Sequence, residues 1–362
     1  MKIALLHNFM DNIGGAEMVT LNLARELNAD IYTTNIDAEK IKKMGFENVL
    51  PRIFSIGKVP VNAPFRQQLT LLRFKFLNLK NKYDFYIIAG DWAISGSHNN
   101  KPNLWYVHSP IREIWDLKDY TKNNLVTPWK RPLFVVWVWL NRFLTNKYIK
   151  QVNKIVCNSE NTKNRVKKYL NKNAVVIYPP TDTRNFHFKK TGNYWLSVNR
   201  LISHKRIDLQ LKAFAKLPNE KLIIVGSYEQ SKHFQEYAEN CKKIKTNNVE
   251  IISWVSEQEK IELYSNCKGF ITTSKDEDFG MNVVEAMASG KPVIAPAEGG
   301  YLETVKHEAT GLLIENINEN KLIEAIKILS NNSESYKNAC LNQAQKFDTK
   351  IFIEKIKKLL PI

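Results

Sequence analysis

The sequence predicts an α/β protein built from two doubly wound domains, and three observations support this fold class. The chain has 362 residues, which is more than a single domain usually holds. Short apolar segments alternate with amphipathic helical patterns along its length, as in parallel sheets that helices cover on both faces. Hydrophobic residues make up 44% of the chain, which is enough to form two cores.

The strand-like segments come in two groups, one in each half of the chain. In order they are KIALLHNF, DIYTTN, DFYIIAG, LWYVHS, KIVCNS and AVVIYPP, followed by NYWLSVNR, KLIIVGS, VEIISWV, GFITTS and KPVIAPA. Amphipathic helices are predicted between them, for example over residues 15–27 and 206–217.

Prolines and charges interrupt this alternation from Pro179 to Gly192, which we interpret as a linker. We therefore expect a first domain over residues 1–185 and a second over residues 186–346. The tail, residues 347–362, has the pattern of one more amphipathic helix and is expected to pack back on the first domain. The two domains are expected to face each other across a cleft at the carboxyl ends of their strands, where such sheets bind ligands.

The chain is strongly basic, with 53 lysines and arginines against 36 acidic residues and a net charge of +17. Such a surplus indicates a nucleic acid, an acidic membrane surface or a phosphorylated substrate as partner, or else a solvated lysine-rich surface. The four cysteines lie far apart without C-x-x-C spacing, which favours packed, reduced thiols. The sequence shows no signal-peptide pattern and no apolar segment of the roughly 18–20 residues that span a bilayer, so we expect a cytoplasmic protein.

The segment DEDFGMNVVEAMASGKPVIAPAEGG, residues 276–300, carries two glutamates beside a predicted anion site. A short helix is predicted from Val283 to Ser289, and the amide groups of Gly280 to Asn282 at its start favour an anion. A carboxylate would repel that anion, but it accepts hydrogen bonds well from the vicinal hydroxyls of a sugar ring. Glu277 and Glu285 therefore indicate a ligand with a diphosphate and hydroxyl-bearing rings, such as a nucleotide sugar.

Two cations follow a predicted strand in the segment SVNRLISHKRIDLQLKAF. Arg200 and Lys205 lie in or near the loop that precedes the next helix. At the carboxyl end of a strand they would neutralise a diphosphate without a metal ion. On their own, two such residues are more often ordinary surface charges.

Taken together, these segments resemble the retaining GT-B glycosyltransferases of family 4. The resemblance is carried by E-x7-E with an internal F-G, by V-x-R-L-x-x-x-K, and by the segments IGGAE, VCNSENTKNRVKKY and YPPTDTRNF. The segment LWYVHSPIREIWDL resembles the H-T-P-x-R-x-x-W-D segment of a subset rich in mannosyltransferases. The similarity covers essentially the whole chain and implies the GT-B fold, in which two Rossmann-like domains face each other across a cleft.

The resemblance implies a role for each matching residue at the donor site. Glu277 would hold hydroxyls of the transferred sugar, and Glu285 would bind the ribose of the nucleotide. Arg200 and Lys205 would bind the diphosphate and stabilise its charge as it leaves. The other donor-binding positions that the resemblance implies are Gly14, Gly15, Val255, Phe279, Gly280, Met281 and Asn282.

The resemblance also implies roles in the first domain. His108 would face the donor sugar and help to stabilise its developing positive charge, whereas a lone histidine near a strand end is usually a packed residue. Arg112 would orient its loop or meet an acceptor phosphate. Two positions depart from the family pattern, because Asn199 stands where glycine is common and Gly226-Ser227 replaces a frequent G-x-G pair.

The implied reaction is the transfer of a hexose to a hydroxyl of a glycan or lipid-linked acceptor, with retention of configuration, in the synthesis of cell-surface glycoconjugates. The first choice of donor is GDP-mannose. A UDP-sugar donor and a sugar-nucleotide epimerase on the same fold remain alternatives. A nucleic-acid-binding protein is disfavoured because the cations are spread along the chain and no nucleic-acid module is recognised. Residues 276–278 form a D-x-D, but that motif is common by chance, and we expect no metal or other cofactor.

Two segments of the first domain predict contact with an anionic membrane surface at the inner face of the cell membrane. Residues 66–82 and 129–150 mix apolar side chains with lysines and arginines, as interfacial segments do. Trp137 and Trp139 cannot both face one core if their segment is helical. In the first segment, Leu71 and Phe74 are expected to lie off a core-facing stripe that consists of Leu69, Leu72, Phe76 and Leu79. The alternative is a pair of ordinary core helices with solvated basic edges.

Overall fold

The described chain forms two compact units. The computed structural model describes residues 1–12, 14–226, 232–253 and 255–361, and at residues 232–234 it describes the backbone alone. The first unit comprises Met1–Pro179 and the C-terminal residues from Phe352, and the second comprises Pro180–Ile351. Near the start of the second unit, Thr181 N donates to Phe347 O at 3.0 Å.

In the described part of the first unit, seven parallel strands form one sheet. They are β1 (Ile3–Leu6), β2 (Asp30–Thr33), β3 (Ile53–Ser55), β4 (Phe85–Ile88), β5 (Asn103–Val107), β6 (Lys154–Cys157) and β7 (Val175–Val176). Their spatial order is β3-β2-β1-β4-β5-β6-β7, so the direction of winding reverses between β1 and β4. Leu5 of β1 lies opposite Ile31 of β2 and Ile87 of β4.

In the described part of the second unit, six parallel strands form another sheet. They are β8 (Tyr194–Val198), β9 (Lys221–Val225), β10 (Val249–Ile252), β11 (Gly269–Ile271), β12 (Val293–Pro296) and β13 (Gly311–Ile314). Their order is β10-β9-β8-β11-β12-β13, so the winding reverses between β8 and β11. Leu196 of β8 lies opposite Ile223 of β9 and Phe270 of β11.

Helices connect the strands of both sheets. Those up to β7 are α1 (Gly15–Leu27), α2 (Ala38–Lys43), α3 (Phe65–Phe76), α4 (Lys118–Tyr120), α5 (Arg131–Ile149) and α6 (Glu160–Leu170). Those after β8 are α7 (Ile207–Ala215), α8 (Lys232–Ile244), α9 (Glu257–Asn266), α10 (Met281–Ala288), α11 (Tyr301–Thr304), α12 (Glu319–Ser330), α13 (Lys337–Ala344) and α14 (Thr349–Lys357). From Phe352 onward α14 belongs to the first unit, where Phe352 packs edge-on against Tyr106 with 5.7 Å between ring centroids.

The two parallel sheets confirm the predicted doubly wound α/β fold. The predicted strands are present, and β1, β4 and β12 are buried at every residue, which is why they read as continuous apolar segments. The four cysteines are buried, as predicted for packed thiols. Two strands at sheet edges, β3 and β13, were not predicted. Phe54 of β3 is exposed, and β13 begins at Gly311, a residue type that normally signals a turn.

Gly311 is required by the sheet itself. A Cβ at this position would lie 1.9 Å from the carbonyl oxygen of Val293, and the residue has φ +152°. Only glycine allows β13 to approach β12 this closely. Gly311 therefore makes the pairing possible, although a glycine in the sequence normally predicts a turn.

The face that α3 buries is the opposite of the one predicted. Leu71 and Phe74 are buried, whereas three of the four residues expected to face the core are exposed: Leu69, Leu72 and Phe76. The prediction was wrong because α3 carries two apolar stripes, and helical spacing alone does not tell which one faces the sheet. Leu79, after the helix, is buried as predicted.

The two tryptophans of α5 face different surroundings, as predicted. Trp137 packs against Phe134 and Trp92, with ring centroids 5.7 Å and 6.0 Å away. Trp139, two residues later, is 67% exposed. One face of α5 therefore lies on the core of the first unit while the other carries large apolar side chains outward.

The side chains that α3 buries and exposes predict how substitutions in this helix change the free energy of unfolding. Phe74 is fully buried and Phe76 is 73% exposed. Phe74→Ala is expected to lower the free energy of unfolding by about 3–5 kcal/mol, because it leaves a cavity in the core. Phe76→Ala should change it by less than about 0.5 kcal/mol. Chemical denaturation of both variants measures the difference, and equal losses would contradict the assigned face.

Candidate active site

Most of the predicted donor residues of the second unit lie in the loops where its strand order reverses. β8 and β11 are parallel neighbours, so their carboxyl ends meet at one edge of the sheet. In open α/β sheets this reversal point is where ligands bind. The loop after β8, residues 199–206, contains Arg200 and Lys205, and the loop after β11, residues 272–280, contains Glu277.

Hydrogen bonds hold these two loops together. Lys275 N donates to His204 O at 2.8 Å, and the Thr273 hydroxyl donates to Lys205 O, also at 2.8 Å. Gln210 of α7 donates to the same hydroxyl at 2.9 Å. The backbone that carries Lys205 is therefore fixed against the loop that follows β11.

Lys205 and Glu277 form an ion pair, with 2.5 Å between Nζ and Oε2. Their side chains are only 12% and 22% exposed. Burial by itself raises the pKa of Glu277, but the Lys205 ammonium and the Ser274 hydroxyl lower it, to about 2, so the carboxyl is ionised. An ammonium group has several N–H donors, and pairing with one carboxylate leaves others for a phosphate oxygen.

The loop that carries Glu277 rests directly on two glycines. A Cβ on Gly299 would lie 2.5 Å from Glu277 O, and one on Gly300 would lie 2.4 Å from the Cα of Phe279. Gly300 N also donates to Glu277 O at 2.8 Å. The Phe279 ring is buried, so this residue can offer a ligand only its backbone. Gly299 and Gly300 therefore position the first glutamate, although sequence reasoning gave them no role.

The start of α10 supplies backbone amides beside this pair. The helix begins at Met281, two residues before the predicted start, directly after Gly280. Gly280 has φ +90°, and a Cβ there would lie 2.7 Å from the Tyr301 ring, so the position requires glycine. The Asn282 side-chain amide donates to Val198 O at 2.8 Å, which ties the first turn of α10 to the end of β8.

Glu285 lies one turn further along α10 and pairs with a different cation. Lys260 Nζ on α9 lies 3.0 Å from Glu285 Oε1 and 3.0 Å from Glu257 Oε2. Burial would lower the pKa of Lys260, but the two carboxylates raise it, so the ammonium stays charged. Sequence reasoning missed Lys260 because 25 residues separate it from its partner.

The remaining donor-side positions of the second unit differ in exposure. Arg200 lies two residues after the end of β8 and is exposed, and Val255 is half-buried between β10 and α9. The two positions that depart from the family pattern, Asn199 and Gly226, are in close contact. A Cβ on Gly226 would lie 1.8 Å from Asn199 O. Ser227 lies outside the described residues.

In the first unit, the glycine loop follows β1 at the reversal between β1 and β4. Gly14 caps α1 in an extended conformation, and Gly15 is the first residue of the helix. Glu17 accepts a hydrogen bond from Gly14 N at 2.8 Å, and its other oxygen lies 3.1 Å from His7 Nε2. The Thr20 hydroxyl lies 3.0 Å from His7 Nδ1. Glu17 and the buried His7 therefore fix the loop. Of these two residues, only Glu17 belongs to a motif recognised in the sequence, because it is the last residue of IGGAE.

His108 follows β5 and is uncharged at neutral pH. Its ring packs edge-on against Tyr106, with 5.2 Å between centroids. Burial and the nearby His7 lower the pKa of His108 to about 3, although Glu17 and a hydrogen bond with the Ala89 backbone act in the other direction. Its buried Nε2 has no hydrogen-bond partner among the described residues. An unprotonated ring nitrogen accepts a hydrogen bond from a hydroxyl, which is chemistry that a sugar ligand would use.

Arg112 is tied to its own loop. Its Nε donates to Asp116 Oδ2 at 2.9 Å, and its Nη2 lies 2.8 Å from the same oxygen. Arg165 of α6 donates to the Ser109 hydroxyl at 3.1 Å. These contacts favour the loop-orienting alternative for Arg112.

The acidic residues of the second unit do not gather as metal ligands in the described structure. No group of three or more histidine, cysteine, aspartate or glutamate side chains among the described residues is arranged to hold a metal ion. In the D-x-D of residues 276–278, the central Glu277 carboxylate is engaged by Lys205 and Ser274.

Comparisons with known proteins agree with this architecture. Residues 13–185 match the family described as Glycosyltransferase Family 4, and residues 179–347 match Glycosyl transferases group 1. The alpha-1,3/1,6-mannosyltransferase ALG2 of Candida glabrata is 31% identical over 93% of this chain and 87% of its own length. An uncharacterized glycosyltransferase of Methanocaldococcus jannaschii is 33% identical over 50% of either chain.

A solved structure has the same arrangement of strands and helices. The Anabaena protein HepE, in complex with UDP and glucose, superimposes with a TM-score of 0.80 over 99% of both chains, at 18% sequence identity. The two matching families together span residues 13–347, and the likeness of fold covers 99% of the chain. The chain therefore belongs to the group 1 glycosyltransferases and has their GT-B fold.

Proposed function

We propose that this glycosyltransferase moves a hexose, with GDP-mannose as the first choice of donor, to a hydroxyl of a glycan or lipid-linked acceptor. The bond between the anomeric carbon and the diphosphate breaks, and a bond from that carbon to the acceptor oxygen forms. The departing phosphate takes the proton of the acceptor hydroxyl. Attack from the side of the leaving group retains the configuration of the sugar.

The Lys205–Glu277 pair is the observation that carries this proposal. An ionised and fixed carboxylate suits the vicinal hydroxyls of a sugar ring, because it accepts hydrogen bonds and donates none. The adjacent ammonium suits a diphosphate, whose negative charge grows as the sugar leaves. The amide groups at the start of α10 offer a second contact for the phosphate. A nucleotide sugar is the ligand that uses all three features.

The state of Glu277 supports direct displacement over a covalent intermediate. A carboxylate with a pKa of about 2, bonded to both Lys205 and Ser274, is a weak base and a weak nucleophile. Retaining hydrolases instead use a pair of closely spaced carboxyl groups, one of them a nucleophile. The proposal therefore gives Glu277 a binding role and gives Lys205 the stabilisation of the leaving group.

Two sets of relatives support different donors. The printed activity of ALG2, an alpha-1,3/1,6-mannosyltransferase, supports mannose. The UDP and glucose bound to HepE support a UDP-sugar, which is the alternative donor. A sugar-nucleotide epimerase is the remaining alternative and would form product without an acceptor.

The proposal extends to the cellular setting and to cofactors. We infer a peripheral protein at the inner face of the cell membrane that acts in polysaccharide or glycoconjugate synthesis. A net charge of +17 supports an anionic surface as partner, and we propose that this surface is lipid and that nucleic acid is not a partner. We also propose that no metal ion is needed, because Lys205 and Arg200 would carry the charge of the diphosphate.

Glu277→Gln is expected to lower kcat about ten- to a hundred-fold, because a neutral amide replaces a charged acceptor of the sugar hydroxyls. The change also leaves Lys205 without its partner, so thermal unfolding is measured beside transfer. The double variant Glu277→Gln/Lys205→Gln removes both charges and separates a loss of folding from a loss of chemistry. Glu324→Gln, on the exposed face of α12, is the control. Wild-type turnover in Glu277→Gln would contradict the assignment.

Calorimetric titration with GDP-, UDP- and ADP-sugars identifies the donor, and we expect GDP-mannose to bind most tightly. Glu285→Gln should weaken the binding of both the free nucleotide and the nucleotide sugar by about ten- to a hundred-fold, because it removes a charged partner of the ribose. Glu277→Gln should weaken the binding of the nucleotide sugar and leave that of the free nucleotide unchanged. Binding of UDP-sugars alone would replace GDP-mannose with the alternative donor, and product formed without acceptor would indicate an epimerase.

Transfer is expected to survive an excess of a metal chelator, whereas Lys205→Ala should lose most of it. The reason is that the Lys205 ammonium, and not a bound cation, faces the leaving diphosphate. Lys212→Ala, on α7 with a side chain that is 57% exposed, is the matched control. Initial rates with and without chelator measure the effect. A strict requirement for added manganese or magnesium would favour the D-x-D interpretation instead.

A further inference from the structure

The outward side of α3 carries a continuous line of apolar residues. Its exposed members are spaced by four, three and four positions, which places them on one side of the helix: Phe65, Leu69, Leu72 and Phe76. The opposite side of α3 already packs on the sheet through Leu71 and Phe74. The exposed line therefore has no role in the core of the first unit.

The outward side of α5 is also apolar, and more extensively so. The exposed residues on and just before this helix are Trp129, Leu133, Val135, Val136, Trp139, Leu140 and Phe143. Trp139 and Phe143 stack on each other, with 6.3 Å between ring centroids. Together with the line on α3 they are eleven of the twenty large hydrophobic side chains that are exposed among the described residues. We call these eleven side chains the α3–α5 face.

The two helices are neighbours. The Gln68 side-chain amide of α3 donates to Asn141 Oδ1 of α5 at 2.9 Å. Phe74 of α3 and Val138 of α5 are buried in the same hydrophobic cluster. The α3–α5 face is therefore one region of the first unit, and it is larger than the scattered exposed apolar residues that soluble surfaces normally carry.

The segments that carry the α3–α5 face contain no acidic residue. None occurs between Glu47 and Asp84, and none between Asp119 and Glu160, although both stretches are rich in lysine and arginine. Lys75 Nζ lies 5.2 Å from the centre of the Phe76 ring, and Lys130 Nζ lies 4.8 Å from the centre of the Trp129 ring. Cations therefore stand directly beside the exposed aromatic rings.

We propose that the α3–α5 face docks on an anionic lipid bilayer, with its aromatic and aliphatic side chains at the level of the lipid headgroups. Aromatic residues flanked by lysine and arginine suit this interface, where the rings leave water and the cations meet lipid phosphates. A second copy of the chain is a poorer occupant, because a symmetric contact would bring together segments whose only charges are positive. In the part of the chain that the structure describes, no helix is long and apolar enough to cross a membrane.

This inference deepens the proposed function, since it rests on the proposed location and names the surface that meets the membrane. It does not depend on which sugar is transferred. Docking through α3 and α5 would keep the first unit at the lipid surface, where a lipid-linked acceptor resides. Binding to vesicles and transfer to a water-soluble acceptor are separate measurements, so the two proposals can fail independently.

The first test is co-sedimentation of the full chain with phosphatidylcholine vesicles that contain or lack phosphatidylglycerol. We expect binding only with the anionic lipid and release as salt screens the charges. Lys75→Gln and Lys130→Gln should each lower the partition coefficient about five-fold at low salt, and Lys327→Gln on α12 is the matched control. Equal binding to both kinds of vesicle, or binding to neither, would overturn the proposal.

The second test addresses the apolar side chains. Leu69→Ser/Phe76→Ser and Trp139→Ser/Phe143→Ser should each lower the partition coefficient about ten-fold or more, because they remove the side chains that leave water. Ile328→Ser, an equally exposed residue in the second unit, should bind as the wild type does. All five changes are at exposed positions, and thermal unfolding checks that the variants fold.

A site-specific readout completes the design. Brominated lipids should quench the fluorescence of the wild type, and Trp129→Phe/Trp139→Phe should remove most of that quenching. Wild-type binding by both serine double variants would show that another surface docks, and so overturn the assignment of this face while leaving the membrane location in place. If the protein does not bind vesicles but forms a dimer, and Trp139→Ser dissociates that dimer, the face is the interface with a second copy. That result would overturn the proposal.

Discussion

The pairing of β8 with β11 is the constraint on which the site of the second unit depends. Because the two strands are parallel neighbours, their following loops leave the sheet at one edge, although 72 residues separate Lys205 from Glu277 along the chain. A pair of charges that is largely removed from water is stable only when its other hydrogen bonds are satisfied. Ser274 supplies one of them, and Gly299 and Gly300 hold the loop backbone in place.

In the first unit, side-chain hydrogen bonds also join the loops where the strand order reverses. The strand order reverses between β1 and β4, and the Asn8 side chain joins the two loops there, because its Oδ1 accepts hydrogen bonds from Trp92 N at 3.0 Å and Ala93 N at 2.9 Å. A Cβ on Gly90 would lie 2.3 Å from that oxygen. Together with the contact between His7 and Glu17, this network fixes the glycine loop through side chains that a ligand does not need to touch. In both units, hydrogen bonds therefore fix the loops that follow the strands at the reversal of strand order.

Local patterns predicted the fold and the two loops of the second unit because buried parallel strands, glycine stops and charges after strands each leave a signal within a few residues. They could not show which side chains meet. Lys260 with Glu285, and His7 with Glu17, are partners only because the sheets bring distant residues together. The face of α3 was wrong for a related reason. Both of its stripes are apolar, and the choice between Leu71 and Leu72 is made by the sheet on which the helix packs.

The α3–α5 face also determines how the protein behaves when it is concentrated without lipid. Two copies that approach through this face bring together segments that carry only positive charge, and they repel each other over about 10 Å at 0.1 M salt. Added sulfate or phosphate shortens that repulsion and at the same time strengthens the association of exposed apolar surface. Dilute buffer therefore keeps the molecules dispersed, and raising the ionic strength, which usually protects a basic protein from unwanted contacts, drives this one toward self-association.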